Sequence, residues 1–91
     1  MKKVFDWDNE KSKKLIRERK ISFEAIVSLI ESGNVISTVT GKGKYVHQKQ
    51  FIVEMNRYIY IVPFVEDDQK VFLKTIIPSR KLTKKFLSGG E

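Results

Sequence analysis

Residues 51–77, FIVEMNRYIYIVPFVEDDQKVFLKTII, decide the fold. Phe51 to Met55 and Tyr58 to Val65 are two runs rich in β-branched and aromatic residues. Only Asn56-Arg57 separates them, a connection that suits a β-hairpin. Glu66-Asp67-Asp68-Gln69 then reads as an acidic turn, and Val71 to Ile77 as a last strand that Pro78 ends. Strands joined this closely form an antiparallel meander. Pro63 has no amide hydrogen to give a ladder, so its place inside an apolar run predicts an edge position or a bulge.

Upstream of this stretch, Val35 to Thr40 is another β-branched run, followed by a flexible basic loop, Gly41-Lys42-Gly43-Lys44. Before it the pattern is helical. Asp8 reads as the N-cap of a helix from about Asn9 to Arg19, with Glu10 placed to favour the helix dipole. Its apolar face is thin, Leu15 and Ile16, which leaves much of the helix for solvent or a ligand. Ser22 reads as a second N-cap. Phe23, Ala25, Ile26, Val27, Leu29 and Ile30 give that helix a broad apolar stripe for packing on the sheet, and it stops at Gly33-Asn34. Val4, Phe5 and Trp7 form a short first strand, and Leu82 to Leu87 a short basic helix after the last strand. The order is α+β: a short N-terminal strand and two helices, an antiparallel meander and a C-terminal basic helix. No linker or repeat interrupts it, so residues 1–91 are read as a single domain.

Composition narrows the chemistry. The chain has no cysteine, which excludes disulfides and thiolate metal sites, and His47 is its only histidine. No cofactor is expected. The charged N-terminus is unlike a signal peptide and no run is long enough to span a bilayer, so the expected location is the cytoplasm, with no membrane partner. The net charge of +7 is uneven. Residues 1–20 carry eight Lys/Arg against four Asp/Glu, residues 70–91 six against one, and the middle four against six. A polyanion, nucleic acid above all, or an acidic protein is the partner such ends suit; a merely solubilising surface is the alternative.

Three stretches resemble the BrnT family of bacterial toxins from type II toxin–antitoxin pairs. Phe5-Asp6-Trp7-Asp8 with Lys11 is similar to the family's opening signature. Ile21-Ser22-Phe23-Glu24 resembles the start of its second helix, and Ile76-Ile77-Pro78-Ser79-Arg80-Lys81-Leu82-Thr83 its Ile-Ile-Ser-Ala-Arg and the basic helix that follows. The resemblance implies a RelE-like ribonuclease fold, RNA cleavage that inhibits translation on ribosome-associated mRNA, and a ribbon-helix-helix antitoxin as partner. The chain departs from the family at three points. Arg19-Lys20 stands where the family has Lys-His-Gly, Lys49-Gln50 where many members have Glu-Arg, and Pro78 in place of Ser.

Metal-independent RNA cleavage needs a base for the 2′-hydroxyl proton, cations for the charged phosphorane and a donor for the leaving oxygen. Arg80, in the shared motif at the sheet edge, is the first candidate, since a guanidinium grips a phosphate through two parallel bonds. Its structural alternative is an ion pair or a cap on the last helix. Lys11 matches a family position and supplies a second cation, with Lys14 on the same helix face. His47 is the candidate base because only its ordinary pKa lies near neutrality; it matches no motif of the family, and a surface loop histidine is the alternative. Tyr45, in the same loop, is placed either to stack on a base or to anchor the loop to the core, and Lys81 and Lys84 to bind the RNA backbone. Asp8 and Glu24 are explained by capping and the helix dipole, and Trp7 and Phe23 by the core. If the two charged ends meet in one groove, Lys11 and Arg80 face the same cleft. Two further readings are a catalytically inactive homologue that binds an antitoxin and a plain basic nucleic-acid-binding module, the latter lacking a helix-turn-helix, RRM or zinc-finger signature.

Overall fold

Two side-chain oxygens start the first two helices. Asp8 accepts the N–H groups of Glu10 (2.8 Å) and Lys11 (3.3 Å), opening α1 (Asn9–Arg19). Ser22 Oγ accepts from Ala25 (3.1 Å) and opens α2 (Phe23–Glu31). The computed structural model describes residues 3–41, 43 and 48–87, so Tyr45 and His47 lie outside the described residues. α2 is followed by Gly33 at φ 81°, where glycine avoids the clash a Cβ makes. α1 instead ends on Lys20 at φ 58°, a left-handed conformation in a residue that has a Cβ.

Six strands form one sheet: β1 (Val4–Trp7), β2 (Val35–Thr40), β3 (Lys49–Met55), β4 (Tyr58–Glu66), β5 (Lys70–Leu73) and β6 (Ile77–Pro78). The order is β1-β5-β4-β3-β2, with β6 also paired to β4. β2 through β5 are the meander, each antiparallel to the next. β1 pairs in parallel with β5, Val4 opposite Lys70 and Trp7 opposite Leu73, so the sheet is mixed. The hairpin turns on Asn56 (φ 55°) and Arg57 (φ 63°). Positive φ at both positions marks a type I′ turn, whose twist matches that of the strands it joins.

The expected last strand is two strands. Leu73 stands opposite Phe64 and Ile77 opposite Ile61, so Lys74, Thr75 and Ile76 face only Val62 and Pro63. One residue is therefore in excess, a β-bulge. Pro63 explains its place. The Pro63 carbonyl accepts from the Lys74 N–H (2.8 Å), and a residue's nitrogen points to the same side of a strand as its carbonyl. The missing N–H of Pro63 thus faces the break between β5 and β6. Pro63 is not at an edge: it lies in a central strand opposite Gln50. Pro78 pairs with Tyr60 as the final residue of β6, so the last strand ends on it as expected. α3 (Arg80–Leu87) follows at once, two residues earlier than the sequence suggested.

Side chains alternate between the faces of a strand. Val53, Val62, Phe64, Val71 and Leu73 point to one face and join Leu15, Ile21, Phe23, Ile26 and Ile76 in the main core. Trp7 stacks on Phe23 with ring centroids 5.5 Å apart, and Phe51 stacks on Phe64 at 4.0 Å. A buried side chain of this size contributes roughly 1.5–3 kcal/mol, so this layer supplies most of the stability. Ile52 and Ile59 are also buried but lie outside that cluster. Both point to the opposite face. α3 packs there, against β4.

Candidate nucleic-acid interface

Ser79 caps α3. Its Oγ accepts from Leu82 N (3.2 Å) and its carbonyl from Thr83 N (3.0 Å). Thr83 then ties the helix to the sheet: its Oγ1 accepts from the Ile59 N–H (2.8 Å) and donates to the Ser79 carbonyl (2.7 Å). The Ser79 N–H completes the junction by donating to the Ile59 carbonyl (2.9 Å). Arg80, Lys81, Lys84 and Lys85 recur at spacings that gather them on one helix face, while Leu82, Thr83 and Phe86 occupy the other. All four cations are exposed.

Both structural explanations of Arg80 fail. Ser79, not Arg80, is the cap, and among the described residues Arg80 has no ion pair or hydrogen bond. Lys81 likewise has none. No acidic residue stands in the first turn of α3, so two cations crowd the positive end of a helix dipole, where they are disfavoured. Helix stability does not account for them. An anion does.

Lys11 and Lys14 are exposed on α1, three residues apart on one flank, and neither is ion-paired among the described residues. Lys13 is 3.9 Å from Glu10. The α1 side chain that reaches the segment before Arg80 is Arg19, which donates to the Ile76 carbonyl at 3.2 Å. Lys11 lies eight residues earlier, about 12 Å along the helix axis. Asp8 and Glu24 stand where capping and dipole explain them, with Glu24 in the first turn of α2.

The face of the sheet away from α1 and α2 is partly open. Val39 (45% exposed), Val65 (40%) and Ile77 (42%) lie on it, at the edges left uncovered by α3. Lys74 also belongs to this face. The sequence did not single it out, because its position depends on the bulge. It has no ion pair among the described residues. Lys49 is engaged elsewhere: Glu66 holds both Lys49 (2.6 Å) and Lys3 (2.8 Å). The hydrogen bonds from Lys3 first, then Lys49, keep the Glu66 carboxyl below its usual range. Asp6 is lowered by the Trp7 N–H and then by Lys70, and Asp67 by the N–H groups of Gln69 and Lys70. These carboxylates serve the sheet and its turn. Among the described residues no three His, Asp or Glu side chains come together as metal ligands, and no helix is long and apolar enough to cross a membrane.

No family model matches the chain, and no curated protein matches it. Two solved structures do. YafQ from E. coli strain BL21(DE3) superposes with a TM-score of 0.53 at 12% identity, covering 89% of this chain and 98% of that one. A histidine-to-glutamine mutant of YafQ from E. coli gives the same TM-score of 0.53 at 13% identity, with the same coverage of 89% and 98%. At that identity the likeness is one of architecture: the chain has the α+β fold of YafQ.

Proposed function

We propose that the protein is the toxin of a bacterial type II toxin–antitoxin pair, acting in the cytoplasm as a metal-independent endoribonuclease that inhibits translation. The observation that carries this is the pair Arg80 and Lys81, unpaired cations held at the positive end of α3 on a RelE-like fold. The motif resemblance narrows that fold to a divergent BrnT-like member, with residues 1–91 as one toxin domain. Arg80 grips the scissile phosphate and stabilises the phosphorane as the 2′-oxygen attacks phosphorus and the bond to the 5′-oxygen breaks. Lys11, on the side of the sheet that carries α1, is a further contact to the RNA backbone away from the phosphorane. His47 takes the 2′-hydroxyl proton, and the 5′-oxygen leaves with a proton from water. Lys14, Tyr45, Lys81 and Lys84 hold the flanking RNA, which is mRNA on the ribosome. The basic surface that binds RNA also suits an acidic segment of a ribbon-helix-helix antitoxin. No cofactor takes part.

A second reading, a catalytically inactive homologue or basic binding module, is favoured by Lys49. Its ammonium is held by Glu66 and is not turned to the open face. Induction of the protein alone in a bacterium separates the two. The nuclease reading expects growth arrest with transcript cleavage, and Arg80→Ala abolishes both, lowering cleavage by about 10²–10³-fold. Wild-type protein that accumulates folded without arresting growth or cutting RNA favours the binding module.

A further inference from the structure

The open face of the sheet holds a pocket that this reaction does not use. Gln50 stands opposite Pro63, Val65 is two residues along from Pro63, and the Lys74 N–H meets the Pro63 carbonyl. Gln48 precedes Gln50 by two. The alternation of side chains puts all five on the face away from α1 and α2. They line a cavity of about 220 Å³. Lys49 and Phe64 border it too, but their side chains turn to the other face, toward Glu66 and the core.

The chemistry of the lining is specific. Pro63 and Val65 give an apolar floor. Gln48 and Gln50 each offer an uncharged donor and acceptor, and among the described residues neither amide has a hydrogen-bond partner. Lys74 adds one unpaired cation at the rim. The volume is below the roughly 300–1,000 Å³ of sites for drug-sized ligands, which suits a single ring system. A flat heterocycle with a donor and an acceptor on its edge, attached to a phosphate, satisfies all three features at once. A duplex does not, because its base edges are already paired.

We infer that this pocket is a nucleobase subsite for single-stranded RNA, with Gln50 reading the base edge and Lys74 holding the adjoining phosphate. Lys74 and Arg80 flank the same face. Their attachment points on β4, Pro63 and Ile59, are four residues or about 13 Å apart. The pocket therefore sits beside the proposed cleavage centre, and it rests on the RNA-binding half of the proposed function.

Fluorescence anisotropy with labelled octamers of A, C and U and an abasic octamer tests this. The wild type binds at least one base-bearing octamer more tightly than the abasic one, by about 5- to 150-fold, the range of one good amide–base pairing. Gln50→Ala removes that ratio and leaves abasic binding in place. Gln50→Glu, which keeps the shape but loses the donor, removes it as well and guards against a folding artefact. Lys74→Ala weakens every octamer alike and lowers the salt slope by about 1. Equal binding of abasic and base-bearing octamers by the wild type, or an unchanged ratio in both Gln50 variants, overturns the inference. If RNA is cut but the Gln50 variants keep the base preference, the pocket fails and the toxin reading stands. Gln50-dependent base preference without any cleavage leaves the pocket and removes the nuclease. No RNA binding at all overturns both.

Discussion

Arg80 and Lys81 occupy the first turn of α3, where unpaired N–H groups already make the field positive. Reversing the charge at Arg80 relieves that conflict. Arg80→Glu is expected to raise stability by about 0.3–1 kcal/mol while RNA binding is lost, measured by thermal melts beside anisotropy. A substitution that stabilises the fold and removes function identifies a residue kept for a ligand. Arg57 is a second residue at odds with its place. At φ 63° it fills a type I′ position that glycine takes without strain. Arg57→Gly is expected to stabilise the hairpin by about 1 kcal/mol, read as a shift in denaturation midpoint. The sequence pointed to Arg80 through its motif. Gln50 and Lys74 were not legible as a pair, because only the strand register and the bulge put them over Pro63.

At the scale of elements, local signals in the sequence set the helix starts and the hairpin. Asp8 and Ser22 cap their helices as a carboxylate and a hydroxyl should, and the two-residue connection closes the hairpin. The break in the last strand has a non-local cause. Val71 to Ile77 is a continuous β-forming run, and nothing within it shows that Pro63, across the sheet, withholds a ladder hydrogen bond. Two tests belong here. Thr83→Val leaves the partly buried Ile59 N–H without its acceptor. It is expected to cost about 1–3 kcal/mol and to free α3, seen as faster amide exchange through residues 80–87. Lys20→Gly relieves the left-handed end of α1, where Lys20 sits at φ 58°. A gain of about 1 kcal/mol in denaturant unfolding is expected.

For the whole molecule, the α+β class and the meander followed from the sequence, while the parallel pairing of β1 with β5 did not. It joins residues more than sixty positions apart, and no local pattern encodes such a partner. The same distance is bridged by Glu66, which ties Lys3 ahead of β1 and Lys49 of β3 to the end of β4. Its carboxyl is held below the ordinary 4.5. A lowered carboxylate adds stability above its unfolded value, and that stability is lost as pH falls through the folded one. Acid unfolding should therefore steepen below about pH 4.5, and Glu66→Gln should flatten that part of the curve, followed by circular dichroism.

The YafQ-like fold and the unpaired Arg80 meet in the central proposal, that this face cuts RNA by transfer to the 2′-oxygen. The most direct measurement is end-group analysis of RNA incubated with the purified protein and translating ribosomes, with and without EDTA and beside Arg80→Ala. The account predicts 2′,3′-cyclic phosphate and 5′-hydroxyl ends, unaffected by EDTA and lost in the variant. Intact RNA with wild-type protein, or 5′-phosphate ends that disappear with EDTA, would contradict it.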